Sequence, residues 1–152
     1  MSQDKLLDKV KKLRELTGVG FKDCKKAIDE NNGDIEKSIE FLRKKGIAKA
    51  NKKMERIAAD GLVCICEKEN NFSILEVNSE TDFVAKNIEF INFVEEITKL
   101  ALVNFGIMKK ILISKMQNNI NVSDNLISLI SKIGEKITIR RSDFIESDKF
   151  IL

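Results

Sequence analysis

The spacing of apolar residues first changes near residues 47–56, and this change limits the folds that the chain can adopt. Up to residue 46, apolar residues recur at the three- and four-residue spacing of helices. From residue 62 they alternate with the spacing of strands before helical spacing returns. The pattern predicts an α+β protein with a helical module at residues 1–46, a linker at 47–56 and an α+β core domain at 57–152.

Three short helices are predicted within the first 46 residues. The first ends at Thr17-Gly18 and the second at Asn31-Asn32-Gly33, and both sequences are typical of helix ends. The third begins at Asp34, a capping residue, and is predicted to stop at Gly46. Three helices of this length suit a small three-helix bundle, which is marginal but able to fold alone.

The linker, residues 47–56, is polar and basic, and is expected to form a tether or a loosely packed helix. Residues 1–56 carry 16 Lys and Arg against 10 Asp and Glu, a net charge of +6. This excess allows a nucleic-acid interpretation of the amino-terminal half. Acidic residues are interspersed, however, and the basic linker itself has no aromatic residue that could stack on bases. A solvated basic face is the favoured interpretation.

The core domain is predicted to start with a β-hairpin. In the first strand, Leu62, Cys64 and Cys66 alternate with Val63 and Ile65, so both of its faces are expected to be covered. A short turn at Asn70-Asn71 would lead into a second strand, Phe72–Val77. A third strand is expected at residues 137–140, and the three strands would form a small antiparallel sheet.

Helices are predicted between the second and third strands. A long helix is expected from Asp82, with an inward stripe of Ile88, Ile91, Val94, Ile97 and Leu100. Two shorter helices are predicted at roughly 107–117 and 123–133. Ser123 is expected to cap the second of these, and Gly134 to end it.

Residues 78–87, Asn-Ser-Glu-Thr-Asp-Phe-Val-Ala-Lys-Asn, form the segment most informative about function. Thr81 or Asp82 is expected to cap the helix that follows, because a short side-chain oxygen satisfies the free amides of a first turn. Phe83 then lies at the start of that helix. The residues alone favour an inward-packed phenylalanine, although a large ring at this position is also easily presented to a partner.

The composition indicates no catalytic centre. The chain has no histidine, the usual general base near neutral pH, and no glycine-rich phosphate loop. Three cysteines cannot all pair, and Cys64-x-Cys66 is a weak metal motif without histidine, so reduced thiols and a cytoplasmic location are expected. No run reaches the approximately 20 apolar residues that a membrane span needs, and no signal peptide is recognisable.

Four collinear motifs together resemble the bacterial elongation factor Ts family. The most specific motif is Thr81-Asp82-Phe83-Val84-Ala85-Lys86, which follows Leu75-Glu76-Val77-Asn78. The other three are an amino-terminal motif at residues 10–28 that continues at 32–36 and 42–46, the segment Ala58-Ala59-Asp60-Gly61, and residues 132–141. By this resemblance the amino-terminal bundle is expected to be ubiquitin-associated-like.

The resemblance implies a guanine-nucleotide exchange factor for elongation factor Tu that binds the GDP and nucleotide-free forms of its partner. Such a protein is not an enzyme and needs no cofactor or metal of its own. The implied partner-binding and Mg²⁺-displacing residues are Thr81, Asp82, Phe83 and Val84. Further implied partner contacts are Arg14, Phe21, Lys22, Ile133 and Gly134, although relatives often carry an apolar residue in place of Lys22. For Ile133 and Gly134, core packing and a helix C-cap are equally good explanations.

The chain ends at Phe150-Ile151-Leu152, where relatives usually continue into a second core half. The second half is therefore expected to be missing, in a short or truncated form. An unpaired apolar edge favours association, so self-association through this edge is expected.

Two alternatives from other classes remain. One is a ubiquitin-associated-type module fused to an unrelated α+β domain, which leaves the Thr81–Ala85 motif unexplained. The other is a small RNA-binding protein that uses the basic linker.

Overall fold

The computed structural model describes residues 3–147 and confirms the α+β class. Within these residues it has seven helices and three strands. In chain order they are α1 (Gln3–Thr17), α2 (Phe21–Glu30), α3 (Ile35–Asn51), β1 (Asp60–Lys68), β2 (Asn71–Ser79), α4 (Asp82–Ala85), α5 (Ile88–Val103), α6 (Met108–Ile113), α7 (Val122–Ile133) and β3 (Ile137–Glu146).

The first three helices pack around their own apolar cluster, as the sequence predicts. Left-handed glycines follow the ends of α1 and α2, with φ of 65° at Gly18 and 79° at Gly33. The side chain of Asp34 caps α3 by accepting a hydrogen bond from the Lys37 amide at 3.0 Å. The buried members of the cluster are Val10, Leu13, Cys24, Ala27, Ile28 and Leu42.

The predicted stop at Gly46 is wrong, because α3 continues to Asn51. Gly46 is buried and faces α7, where a Cβ would lie 3.4 Å from the Ile127 side chain. Ala50 belongs to a second, larger apolar cluster, the main apolar cluster, which includes buried residues of β2, α5 and α7. The small residue therefore allows two helices to approach closely, and this packing offsets the weak helix propensity of glycine. The first half of the predicted linker is helical, and the division into residues 1–46, 47–56 and 57–152 remains a prediction.

The three strands form an antiparallel sheet in the order β1-β2-β3, which confirms the predicted sheet. The hairpin turn lies at Glu69-Asn70, one residue earlier than predicted, and both residues have positive φ, of 52° and 64°. Two consecutive positive φ values are typical of the two-residue turns whose twist matches that of a hairpin. Near the start of β1, the backbone of Gly61 lies very close to β2. A Cβ at this position would lie 2.1 Å from the Val77 carbonyl oxygen.

Among the described residues 3–147, helices cover one face of the sheet and leave the other open, so the prediction that β1 is covered on both faces is wrong. Leu62 and Cys64 pack against the main apolar cluster beneath the sheet. Val63 and Ile65, which point the opposite way because strand residues alternate, are each 63% exposed. The outer face of β1 is therefore apolar at these two residues and open to solvent.

The single helix predicted from Asp82 is in fact two helices separated by Lys86 and Asn87. Asn87 caps α5 by accepting from the amides of Glu89 and Phe90 at 2.9 and 3.3 Å. The predicted inward stripe is partly wrong, because Ile88 is exposed while Val94 and Ile97 are buried. The buried residues of α5 are Phe90, Phe93, Val94, Ile97, Thr98, Ala101 and Leu102.

The next two helices exist, but their caps differ from prediction. The first is shorter than 107–117, and the second is capped by Asn121, whose side chain accepts from the Asp124 amide at 2.7 Å. Ser123 instead donates its hydroxyl to the Leu112 carbonyl. Gly134 ends α7 in the left-handed conformation, with φ of 88°, as predicted. Residues 150–152, on which the prediction of an apolar edge rests, lie outside the described residues.

Candidate functional site

The Thr81–Ala85 segment leaves the end of β2 and immediately forms α4, a single turn of helix. The Ala85 amide donates to the Thr81 carbonyl at 3.4 Å, and the Lys86 amide donates to the Asp82 carbonyl at 3.1 Å. Ser79, the last residue of β2, donates its hydroxyl to the same Thr81 carbonyl at 3.0 Å. The turn is thus fixed to a central strand on one side and to α5 on the other.

Phe83 and Val84 are consecutive in α4 but have opposite surroundings. Phe83 is 81% exposed, whereas Val84 is 6% exposed and belongs to the main apolar cluster. In the free chain the inward packing expected of most phenylalanines is therefore absent at Phe83. The structure places one candidate residue where a partner can reach it and its neighbour where it supports the turn.

Asp82 is exposed at the start of α4 and forms an ion pair with Lys86 at 2.7 Å. The hydrogen bond from Lys86 holds the pKa of the Asp82 carboxyl below its ordinary value, and the same contact raises the pKa of Lys86. The carboxylate is therefore charged at neutral pH. Both groups face solvent, so a partner can exchange this ion pair for its own contacts without a large desolvation cost.

The predicted side-chain cap of this helix is wrong. Thr81 occupies the N-cap position with φ of −132°, but its side chain makes no capping hydrogen bond to α4. Its hydroxyl instead donates to Glu135 Oε1 at 2.7 Å, and its amide donates to Glu135 Oε2 at 3.1 Å. One carboxylate thus holds both donors of Thr81 from 54 residues away. Sequence reasoning missed Glu135, since only its presence in the motif at residues 132–141 marked it.

The loop that carries Glu135 is hydrogen-bonded to the linker, residues 47–56. Lys53 donates its ammonium group to the Gly134 carbonyl, and the Lys136 ammonium group donates to the carbonyls of Met54 and Arg56 at 2.7 and 2.8 Å. The Lys136 amide donates to Glu80. These contacts bring three separate parts of the chain together at the base of α4.

Two candidate residues at the end of α7 have structural roles in the free chain. Ile133 is half-buried against the main apolar cluster, and Gly134 supplies the left-handed C-cap. Gly134 is also exposed, and a Cβ there would meet no neighbouring atom within 4 Å. Packing and capping therefore account for both residues without a partner, while the exposure of Gly134 leaves it accessible to one.

The amino-terminal candidates Arg14, Phe21 and Lys22 are all exposed around the loop between α1 and α2. Gly18 in this loop lies beside Lys132 of α7, because a Cβ added to Gly18 would lie 3.6 Å from the Lys132 ammonium nitrogen. Lys132 in turn forms an ion pair with Glu89, in the first turn of α5, at 2.6 Å. A chain of contacts therefore links the amino-terminal loop to the helix that follows α4.

Several residues of the basic amino-terminal half are neutralised by nearby acids. Asp23 accepts from Lys45 at 2.6 Å and from Lys49 at 2.8 Å, and Arg43 pairs with Glu40 at 2.9 Å. The basic excess is thus partly engaged in ion pairs within and between helices. This arrangement favours the interpretation as a solvated face.

Within the described part of the chain, no group of three or more Cys, Asp or Glu residues is arranged to hold a metal ion. The same residues include no helix long and apolar enough to cross a membrane. The surface around α4 carries an exposed ring and an exposed ion pair on a turn whose first residue is hydrogen-bonded to Glu135.

A comparison with protein families gives one match. Residues 80–152 match the family model described as Elongation factor TS. The match begins one residue before Thr81 and covers a little under half of the 152-residue chain. It includes α4, Ile133, Gly134 and Glu135, whereas Arg14, Phe21 and Lys22 lie outside it.

Proposed function

We propose that this chain, whose residues 80–152 match the elongation factor Ts family, is a guanine-nucleotide exchange factor that binds elongation factor Tu in its GDP form and promotes GDP release, so that GTP can bind. The family assignment supports a role of this type in translation. The observation that carries the finer proposal is the exposure of Phe83, 81%, on a helical turn whose base is fixed by hydrogen bonds.

An exchange factor must weaken a very stable complex. A GTPase holds its diphosphate through a phosphate loop and a Mg²⁺ ion that bridges phosphate oxygens and protein ligands. Nanomolar binding corresponds to about −12 kcal/mol, so spontaneous release is slow. The factor must therefore bind the nucleotide-free partner more tightly than the loaded one. Linkage then requires that the nucleotide weaken the binding of the factor by the same ratio.

Phe83 supplies the differential contact in this proposal. Its ring inserts between helices of the partner beneath the nucleotide-contacting segments, and burial of the ring provides the free energy for their displacement. Asp82 exchanges its ion pair with Lys86 for polar groups of the partner. The Mg²⁺ site of the partner is displaced as a result, and the diphosphate loses its main counter-charge. Thr81 and Val84 contribute by holding the turn.

The amino-terminal loop supplies affinity in the same proposal. Phe21 is 43% exposed at the start of α2, next to exposed Lys22, with Arg14 in the last turn of α1. An exposed aromatic residue flanked by basic side chains is a common composition of protein-binding surfaces. Ile133 and Gly134 are proposed as an adjoining contact at the exposed end of α7.

The remaining parts of the proposal follow from the role. The chain acts by binding and not by transforming a substrate, it needs no cofactor of its own, and it works in the cytoplasm, where its partner would be found. Direct binding of nucleic acid is not required, and the ion pairs within the basic amino-terminal half argue against it.

The test is the release of a fluorescent GDP analogue from purified elongation factor Tu on addition of excess unlabelled GDP. The chain should accelerate release in a saturable manner, and the unfolded chain should not. Release at the spontaneous rate at all concentrations of the chain would contradict the proposal. A parallel titration of tRNA against salt separates the RNA alternative, because RNA binding would give a steep dependence on salt concentration.

A further inference from the structure

The contacts of Glu135 suggest a role beyond the residues assigned so far. Thr81 has three backbone or hydroxyl groups that can form hydrogen bonds, and each is engaged. Its amide and hydroxyl donate to Glu135, while its carbonyl accepts from Ser79 and Ala85. Asp82 and Phe83 follow directly on this fixed residue. The orientation of the exposed ring therefore depends on how firmly Thr81 is held.

Glu135 is itself held on both sides along the chain. Gly134, the residue before it, ends α7, and its carbonyl accepts a hydrogen bond from Lys53. Lys136, the residue after it, donates its amide to Glu80 and its ammonium group to two backbone carbonyls of the linker. Because both neighbours of Glu135 are held, its carboxylate can shift only a little if Thr81 moves. Hydrogen bonds to a charged carboxylate are also stronger than those between neutral groups. Two such bonds to the same residue fix its orientation better than one.

We propose that Glu135 is a positioning residue for nucleotide exchange, which fixes Thr81 so that Phe83 is presented to the partner in one orientation. Glu135 need not touch the partner to act in this way. A ring held in its working orientation loses less conformational freedom on binding, and more of the bound complexes are productive. For its rate readout, the inference rests on the exchange activity proposed above.

The variants follow from the hydrogen-bonding groups. Glu135→Ala removes both acceptors. Glu135→Gln can keep both contacts, because its amide oxygen accepts from the Thr81 amide while its NH₂ group donates to the Thr81 hydroxyl oxygen. Glu95→Ala, at an exposed position of α5, is the matched control. Thr81→Val removes the hydroxyl from the other end of the contact, and combined with Glu135→Ala it completes a double-mutant cycle.

The first readout is GDP release at increasing concentrations of the chain. Glu135→Ala should lower the maximal rate by about tenfold and change the half-saturating concentration by less than about threefold. Glu135→Gln should restore most of the rate, and Glu95→Ala should behave as wild type. Thr81→Val should lower the rate in the wild-type background and have little effect in Glu135→Ala. An unchanged maximal rate in Glu135→Ala, or no restoration by Glu135→Gln, would overturn the inference.

The second readout is amide hydrogen exchange in the free chain, which needs no partner. In Glu135→Ala the amides of Ala85 and Lys86, which close α4, should exchange about tenfold faster, while buried α5 amides such as that of Ile97 keep their wild-type rates. If the wild-type chain fails to release GDP, the proposed function is wrong and this readout alone decides the positioning role. Unchanged exchange at Ala85 and Lys86 would then overturn it. If Glu135→Ala does not fold, Thr81→Val carries both readouts.

Discussion

Phe83 and Val84 show how two neighbouring residues divide the work of one helical turn. Val84 is buried in the main apolar cluster and fixes α4 to the core, whereas the ring of Phe83 stays in water. An exposed phenylalanine gives up the free energy that its burial would provide. Burial of the ring against a partner can still provide that free energy. The proposed function therefore rests on the exposure of the ring.

At the residue scale, Val84→Ala and Phe83→Ala should affect folding very differently. Val84→Ala leaves a cavity in the core and should lower the free energy of unfolding by about 1–3 kcal/mol. Phe83→Ala removes an exposed ring and should change it by less than about 0.5 kcal/mol. Urea titration of both variants measures the two changes. A large loss of stability in Phe83→Ala would show that the ring is part of the core.

The sequence predicts the position of Phe83 correctly, at the start of a helix, but not its surroundings. The sequence also does not predict the hydrogen-bond partner of Thr81, because its hydroxyl donates to Glu135, which is 54 residues away. Local capping rules consider only the nearest amides. Asn87 was predictable in principle, since an asparagine three residues before Phe90 is a normal cap, but the long apolar stripe concealed the break between the two helices.

At the scale of elements, α3 connects the two apolar clusters of the chain. It carries Leu42 in the amino-terminal cluster and Ala50 in the main cluster, and it packs on α7 at Gly46. A glycine within a helix indicates a stop when only local propensity is considered. The close neighbour that makes glycine suitable, Ile127, is distant in sequence, so tertiary packing decides against the local signal.

The contact between α2 and α3 at Asp23 should make stability dependent on pH. Hydrogen bonds from Lys45 and Lys49 lower the pKa of Asp23 from its ordinary 3.8 to about 2. A carboxyl with a lowered pKa stabilises the fold above its unfolded-state value, and this stabilisation is lost as pH falls through the folded-state value. Asp23→Asn should therefore cost roughly 1–2 kcal/mol at pH 7, once solvent screening is included.

The difference between wild type and Asp23→Asn should shrink as pH falls from about 4, be mostly lost by about pH 2 and disappear below that pH. Denaturant titrations across this range measure it, with Asp29→Asn, an exposed position on the same helix, as the control. A difference that stays constant down to pH 2 would show that the ionised carboxylate is not the source of the stability.

At the scale of the whole molecule, the open outer face of the sheet is the largest departure from expectation. Val63 and Ile65 of β1 are exposed, and Ile74, the register partner of Ile65 on β2, is only half-buried on the same face. Ile145 of β3 adds a further exposed apolar side chain. Glu76, which pairs with Arg141, and Asp143 interrupt this face, yet the exposed apolar side chains between them still favour association. The expected self-association is therefore better assigned to this face than to residues outside the described part of the chain.

Ile65→Lys should weaken that association. A charge at the centre of the apolar face would have to be desolvated on contact, so the weight-average mass of the variant should stay at the monomer value as concentration rises. The wild-type mass should increase with concentration in sedimentation equilibrium. Ile113→Lys, the same substitution at an exposed position of α6 away from this face, is the matched control. A wild-type chain that is monomeric throughout would contradict the assignment.

The most direct test of the central claim is GDP release from elongation factor Tu by Phe83→Ala, measured on a protein whose thermal unfolding matches that of wild type. The maximal release rate should fall by at least about tenfold, because the exposed ring supplies the contact that favours the nucleotide-free partner. A normally folded Phe83→Ala protein that releases GDP at the wild-type rate would contradict the claim.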